Sequence, residues 1–186
     1  LGATVASAFT SGSSDYFSLC QSIEGLNLTD LAWGTSNAKT VTLSFQVYSS
    51  LTGTFSGAVQ NSGASRSYPF TYTVSSANTW TSIAVTIPGD TSGTWLTNNG
   101  NGIEVRWGLG IGSTYSGTAG AWTSSVYVVP TGSVSVVGTN GATFYITGVQ
   151  LEAGSVATPF ENRLYGTELQ LCQRYYEYGG GVNAVQ

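Results

Sequence analysis

The sequence has no histidine and no methionine, only two cysteines and four prolines among 186 residues, and few charges. Without His the commonest general base and metal ligand is missing. Ser-His-Asp and Cys-His catalysis go with it. The absence of Met predicts a segment of a longer or processed protein. Cys20 and Cys172 are too few for a disulfide framework. They read as free, buried thiols behaving as small hydrophobes, with a single bridge as the alternative. Charged residues make up 8% of the chain, far below the roughly 25% of an ordinary soluble domain. Five basic residues and a net charge of −4 argue against a nucleic-acid binder, which needs a basic stripe to neutralise phosphates. No apolar run is long enough to cross a bilayer, so no membrane insertion is expected. No basic stretch followed by an apolar one opens the chain as a signal peptide would.

What is present is aromatic and β-rich. Eleven Tyr, seven Phe and five Trp argue against disorder. A surface of Gly, Ser and Thr with little charge suits an extracellular or virion protein. Alternation with period two dominates. Val41, Leu43, Phe45 and Val47 share one face of "VTLSFQVY", and similar patterns recur at Tyr68–Val74, Ile83–Ile87 and Ile103–Leu109. Further strands are expected at 3–9, 16–23, 55–60, 126–129 and 143–151. About nine strands separated by Gly, Ser, Asn and Asp clusters predict an all-β antiparallel sandwich of the jelly-roll kind. "TFYITGVQL" is apolar on both faces with a parity shift at Gly148, which predicts a central strand with a β-bulge. One helix is expected at 167–178, with Thr167 as N-cap and Gln170 completing a capping box. Pro159 holds the preceding residue away from helical geometry, so an extended linker should join helix to sandwich. A three-turn helix is too short to be stable alone. Its apolar residues Leu171, Tyr175 and Tyr178 therefore read as an oligomer interface.

Few residues carry chemistry. The cysteines lack zinc-ligand spacing, and no phosphate-binding glycine motif follows a strand and opens a helix. "GLGIG" at 108–112 reads as strand and turn glycines. Paired carboxylates could support glycoside hydrolysis, but no pair stands out. Glu104 should face outward beside Arg106, and Asp90 sits in a turn after Pro88-Gly89. A calcium ion held by loop carboxylates is possible chemistry, with Asp15, Glu24 and Glu152 as candidate ligands. The remaining chemistry is aromatic. A flat ring can stack on the C–H face of a pyranose while neighbouring amides and hydroxyls take its hydroxyl groups. Trp107 alternates with core residues, and Trp80, leading into "TSIAVTI", also reads as core. Trp33, Trp95, Tyr115 and Trp122 lie in Gly-, Ser- and Asn-rich surroundings. They are the candidate ligand-binding residues, against the alternative that they anchor loops.

The run from Gln21 to about Trp95 resembles the jelly-roll domain found in many bacteriophage tail-fibre and other virion proteins. The ending "FYITGVQLEAGSVATPFENRLYGTELQLCQRYYE" is the more specific part, since a similar run recurs where such a jelly roll meets the segment that follows it. The jelly roll is in turn similar to the carbohydrate-binding modules of bacterial glycanases. The resemblance implies a jelly roll at 1–160 with a linker and assembly helix at 161–186. It implies a homotrimeric or otherwise multimeric virion component, assembled in the host cytoplasm, that recognises host-surface glycan without being an enzyme. Its partners would be that glycan and other virion proteins. The alternatives are a capsid or tail decoration domain with no ligand, and the binding module of a secreted glycanase.

Overall fold

The computed structural model describes residues 1–176. Its strands are β1 (Gly2–Thr4), β2 (Tyr16–Glu24), β3 (Val41–Ser49), β4 (Gly53–Asn61), β5 (Ser67–Val74), β6 (Thr81–Ile87), β7 (Asn101–Ile111), the two-residue β8 (Ser116–Gly117) and β9 (Val129–Pro130), and β10 (Thr143–Ala153). Among the described residues one α-helix, α1 (Tyr165–Gln173), follows, and 3-10 turns lie at Gly25–Leu31 and Ser113–Tyr115. A front sheet has the order β1-β10-β3-β6 and a back sheet the order β2-β7-β4-β5. With β10 counted as the eighth principal strand, these orders are 1-8-3-6 and 2-7-4-5, with every pairing antiparallel. That is the double Greek key of a jelly roll.

The period-two pattern accounts for the layers. Odd-numbered Val41, Leu43, Phe45 and Val47 of β3 point inward and are buried. They meet Phe55, Val59, Tyr72, Val105 and Trp107 of the back sheet in one core. Phe45 packs edge-on against both Tyr72 and Trp107, with ring centroids 5.1 and 5.7 Å apart, an arrangement that suits the aromatic quadrupoles. β10 lies between β1 and β3. Its register slips between Thr147 and Gln150, where Gly148 takes φ +57°, a left-handed conformation that favours glycine.

Three of the expected elements differ. The strand expected at 3–9 pairs with β10 only over Gly2–Thr4, because β10 begins at Thr143 and leaves the following residues no partner strand. Residues 126–129 were expected as a strand, but only Val129–Pro130 pairs, in a short parallel ladder with β8. The segment 112–137 instead lies over the outer face of the back sheet. Gln60 Nε2 donates to the Tyr127 carbonyl at 3.0 Å, and Ser67 Oγ to that of Ser125 at 2.6 Å. A Cβ on Gly108 would sit 2.2 Å from a Val129 methyl, so glycine is what admits this loop. The helix spans Tyr165–Gln173 rather than 167–178, and its N-cap is Leu164, with no side-chain cap. Thr167 lies inside the first turn, where its N–H donates to the Leu164 carbonyl, so no capping box forms. The stretch between Ala153 and Tyr165 is irregular, as Pro159 demands. No helix among the described residues is long and apolar enough to cross a membrane.

Candidate functional site

The two sheets differ in how far their outer faces are covered. Outward-pointing Ser56, Ala58 and Gln60 of the back sheet are buried under the loop. On the front sheet the linker crosses only one end, where Thr42 Oγ1 donates to the Gly154 carbonyl and Thr86 Oγ1 to that of Ser155. The other end is open to solvent.

That open end carries an aromatic row across three strands. Tyr145 of β10 is register-paired with Tyr48 of β3, and Trp80 sits immediately before β6, beside Tyr48. Ring centroids are 5.7 Å apart for both Tyr48–Tyr145 and Tyr48–Trp80, and successive rings are tilted by 54° and 53°. Trp80 is 49% exposed and Tyr145 37%, and Tyr48 between them is half-buried. Around the row stand exposed Thr4, Gln46, Asn78, Ser82 and Thr147. The Tyr48 hydroxyl lies 3.4 Å from Asn78 Oδ1, and the Tyr145 hydroxyl 3.4 Å from Thr4 Oγ1. The face therefore offers apolar ring faces flanked by neutral donors and acceptors. No basic residue stands among these neighbours. Such a surface can hold a polyhydroxylated ring by stacking and hydrogen bonding.

This row corrects the reading of Trp80 as core. The signal was available in the alternation. Trp80 has the parity of Ser82, Ala84 and Thr86, Tyr48 that of Ser44 and Gln46, and Tyr145 that of Thr143 and Thr147. All three belong to the polar face of their strands.

The four aromatics expected to bind ligand lie elsewhere. Trp33 and Trp95 are 8% and 9% exposed and Trp122 is half-buried. Together they form an edge-to-face cluster with centroids 4.7, 5.3 and 5.5 Å apart, and Tyr68 packs against Trp122. Their indole N–H groups are all taken by protein. Trp33 donates to the Lys39 carbonyl at 2.7 Å, Trp122 to that of Pro88 at 2.7 Å, and Trp95 to Asp90 Oδ2 and the Ser92 carbonyl. Asp90 is 1% exposed and receives a bidentate Arg66 at 2.7 Å on each oxygen. The three tryptophans thus close the end of the sandwich opposite the Tyr48 row, which matches the loop-anchoring alternative. Trp33 and Trp95 present no ring face to solvent. Tyr115 is separate, half-buried and edge-on to Tyr16 at 5.3 Å.

The candidate calcium ligands do not converge, and among the described residues no group of three His, Cys, Asp or Glu is placed to hold a metal. Each carboxylate has other partners. Asp15 accepts the Gly12 N–H at 2.8 Å. Glu24 accepts Arg174 Nη2 and the Tyr175 hydroxyl, both at 2.6 Å. Glu152 accepts the Thr158 N–H at 3.1 Å and its hydroxyl. Hydrogen bonds from Gln150 and Thr158 hold the Glu152 carboxyl below its ordinary pKa. Glu104 faces outward as expected, paired with Arg106. Cys20 and Cys172 are both free thiols. They are exposed rather than packed inside, and burial of part of Cys20 pushes its thiol up. Of the expected interface residues, Leu171 and Tyr175 are 43% and 65% exposed. Tyr178 lies outside the described residues.

No family model and no curated protein matches the sequence. Among solved structures the chain is similar to one described as "CBM4 structure and function", with a TM-score of 0.43 and 14% identity over 82% of this chain and 70% of that one. A likeness this distant carries no argument about function.

Proposed function

We propose that the chain is a glycan-binding module of a bacteriophage virion protein of the tail-fibre kind, and that the Tyr145–Tyr48–Trp80 row is its binding platform. The observation that carries the reading is the row itself. Three neighbouring rings are left open to water, ringed by hydroxyl and amide groups, on the face that loop and linker leave uncovered. Exposed aromatic surface of this kind is costly unless used. A pyranose uses both parts of it, its C–H face on a ring and its hydroxyls on Gln46, Asn78, Ser82 and Thr147. Binding involves no covalent step, and the module acts as an anchor rather than an enzyme. The virion part of the reading is supported by the resemblance of the stretch from Phe144 to Glu177 to the corresponding run of phage fibre proteins. In that setting several identical weak sites on one particle, held together with other virion proteins, supply avidity.

The test is a glycan array probed with the purified protein, a Tyr145→Ala/Trp80→Ala double variant and a Trp122→Ala variant. The reading expects selective binding that the double variant loses and Trp122→Ala keeps. Absence of binding by the folded protein would favour the ligand-free decoration domain instead.

A further inference from the structure

The back sheet ends in an edge strand that natural proteins normally protect. β2 is nine residues long and, among the described residues, pairs only with β7. Edges are usually blunted by short length, proline, lysine or bulges. β1 is only three residues long, and β5 contains Pro69 and is bridged by Thr123. β2 has no proline and no basic residue. Both irregularities of its ladder place the extra residue in β7, so β2 itself runs without a bulge.

Two exposed apolar patches flank this edge at opposite ends. At the start, Phe9, Tyr16 and Phe17 are 46%, 51% and 39% exposed, with Phe9 edge-on to Phe17 at 5.4 Å. They border an open groove of about 860 Å³ that reaches Val5, Leu109 and Val137. At the far end, α1 is tied to Glu24 by Arg174 and Tyr175, with no residue of the helix buried. A nine-residue helix is not stable alone in water, so it needs cover beyond that tether.

We propose that a second copy of this chain pairs its β2 antiparallel with this β2 about a two-fold axis at Cys20, the middle residue of Tyr16–Glu24. One rotation covers both patches, because it exchanges the ends of the strand. Phe17 then faces the other copy's Ile23, and Ser18 its Ser22. The Phe9–Tyr16–Phe17 patch arrives against the other copy's helix, at Leu171 and Tyr175. Charge permits the contact, because Glu24 is the one charged residue of β2 and Arg174 already neutralises it. The back sheets join into one eight-stranded sheet, while the aromatic rows on the front sheets stay open. Such an isologous contact is two-fold by nature, so it makes a dimer and not a trimer.

The test measures the mass of the full chain in solution by analytical ultracentrifugation, then treats a Cys172→Ser variant with a short bismaleimide. Antiparallel partners at a two-fold have Cα atoms about 4.5–5.5 Å apart, so the two Cys20 thiols are within reach of one linker. The expected result is twice the monomer mass, a cross-linked dimer through Cys20, and a monomer for Cys20→Asp. That variant sets an aspartate beside Arg106 in its own chain but two carboxylates against each other across the axis. A wild-type monomer or trimer overturns the proposal. So does a dimer that forms no Cys20 cross-link. The wild-type mass and the cross-link decide the matter even if Cys20→Asp fails to fold.

Discussion

Residues of one type play opposite parts here, and register separates them. Trp33 and Trp95 are buried with their N–H groups bonded to protein, whereas Trp80 stands on an outer face. Trp33→Ala should cost about 3–5 kcal/mol, the usual range for emptying a buried aromatic site, read by chemical denaturation. Trp80→Ala should cost about 1 kcal/mol or less, mainly its contact with Tyr48, while abolishing glycan binding. The Arg66–Asp90 pair gives the sharpest stability prediction. Asp90→Ala leaves a mostly buried guanidinium without its partner and Trp95 with one acceptor fewer. A loss of about 3–5 kcal/mol is expected, with Arg66→Met/Asp90→Leu recovering part of it.

At the scale of elements, the strands were legible because one face of each is buried, which forces alternation. Gly148 was legible for the same reason, since a bulge leaves a parity shift in the apolar pattern. The helix boundary was not. Thr167 and Gln170 satisfy a capping pattern, but the chain enters the helix two residues earlier, at Tyr165. The loop 112–137 was also hidden, because its buried Val128, Val129 and Val136 follow no strand alternation and its polar ties to the back sheet run through backbone carbonyls. The linker carries a pH prediction. Glu152 is held below its ordinary pKa by bonds that the carboxylate accepts from Gln150 and Thr158. A lowered carboxylate pKa favours the folded arrangement once the unfolded group is ionised. The contribution is therefore complete above the ordinary carboxylate range and is lost as pH falls through the lowered value. The Thr158 amide resonance should shift with that acidic midpoint, and Glu152→Gln should remove the transition.

At the scale of the whole molecule, the jelly roll follows from the count of strands and turns, while the candidate site follows from which faces the loops leave open. The tryptophans in glycine-rich loops close the end of the sandwich. The open row lies on strand positions of polar parity, where alternation marks an outward face but not which outward face stays uncovered. The fold thus has a closed end built on Trp33, Trp95 and Trp122, a covered back face, and an open front face.

The most direct test of that assignment uses the five tryptophan indole N–H signals in a two-dimensional NMR spectrum, titrated with the strongest glycan from the array. The Trp80 signal should move with saturation while those of Trp33, Trp95, Trp107 and Trp122 stay in place. Movement of the Trp122, Trp33 or Trp95 signals with Trp80 unchanged would contradict it, and would return the binding site to the loops.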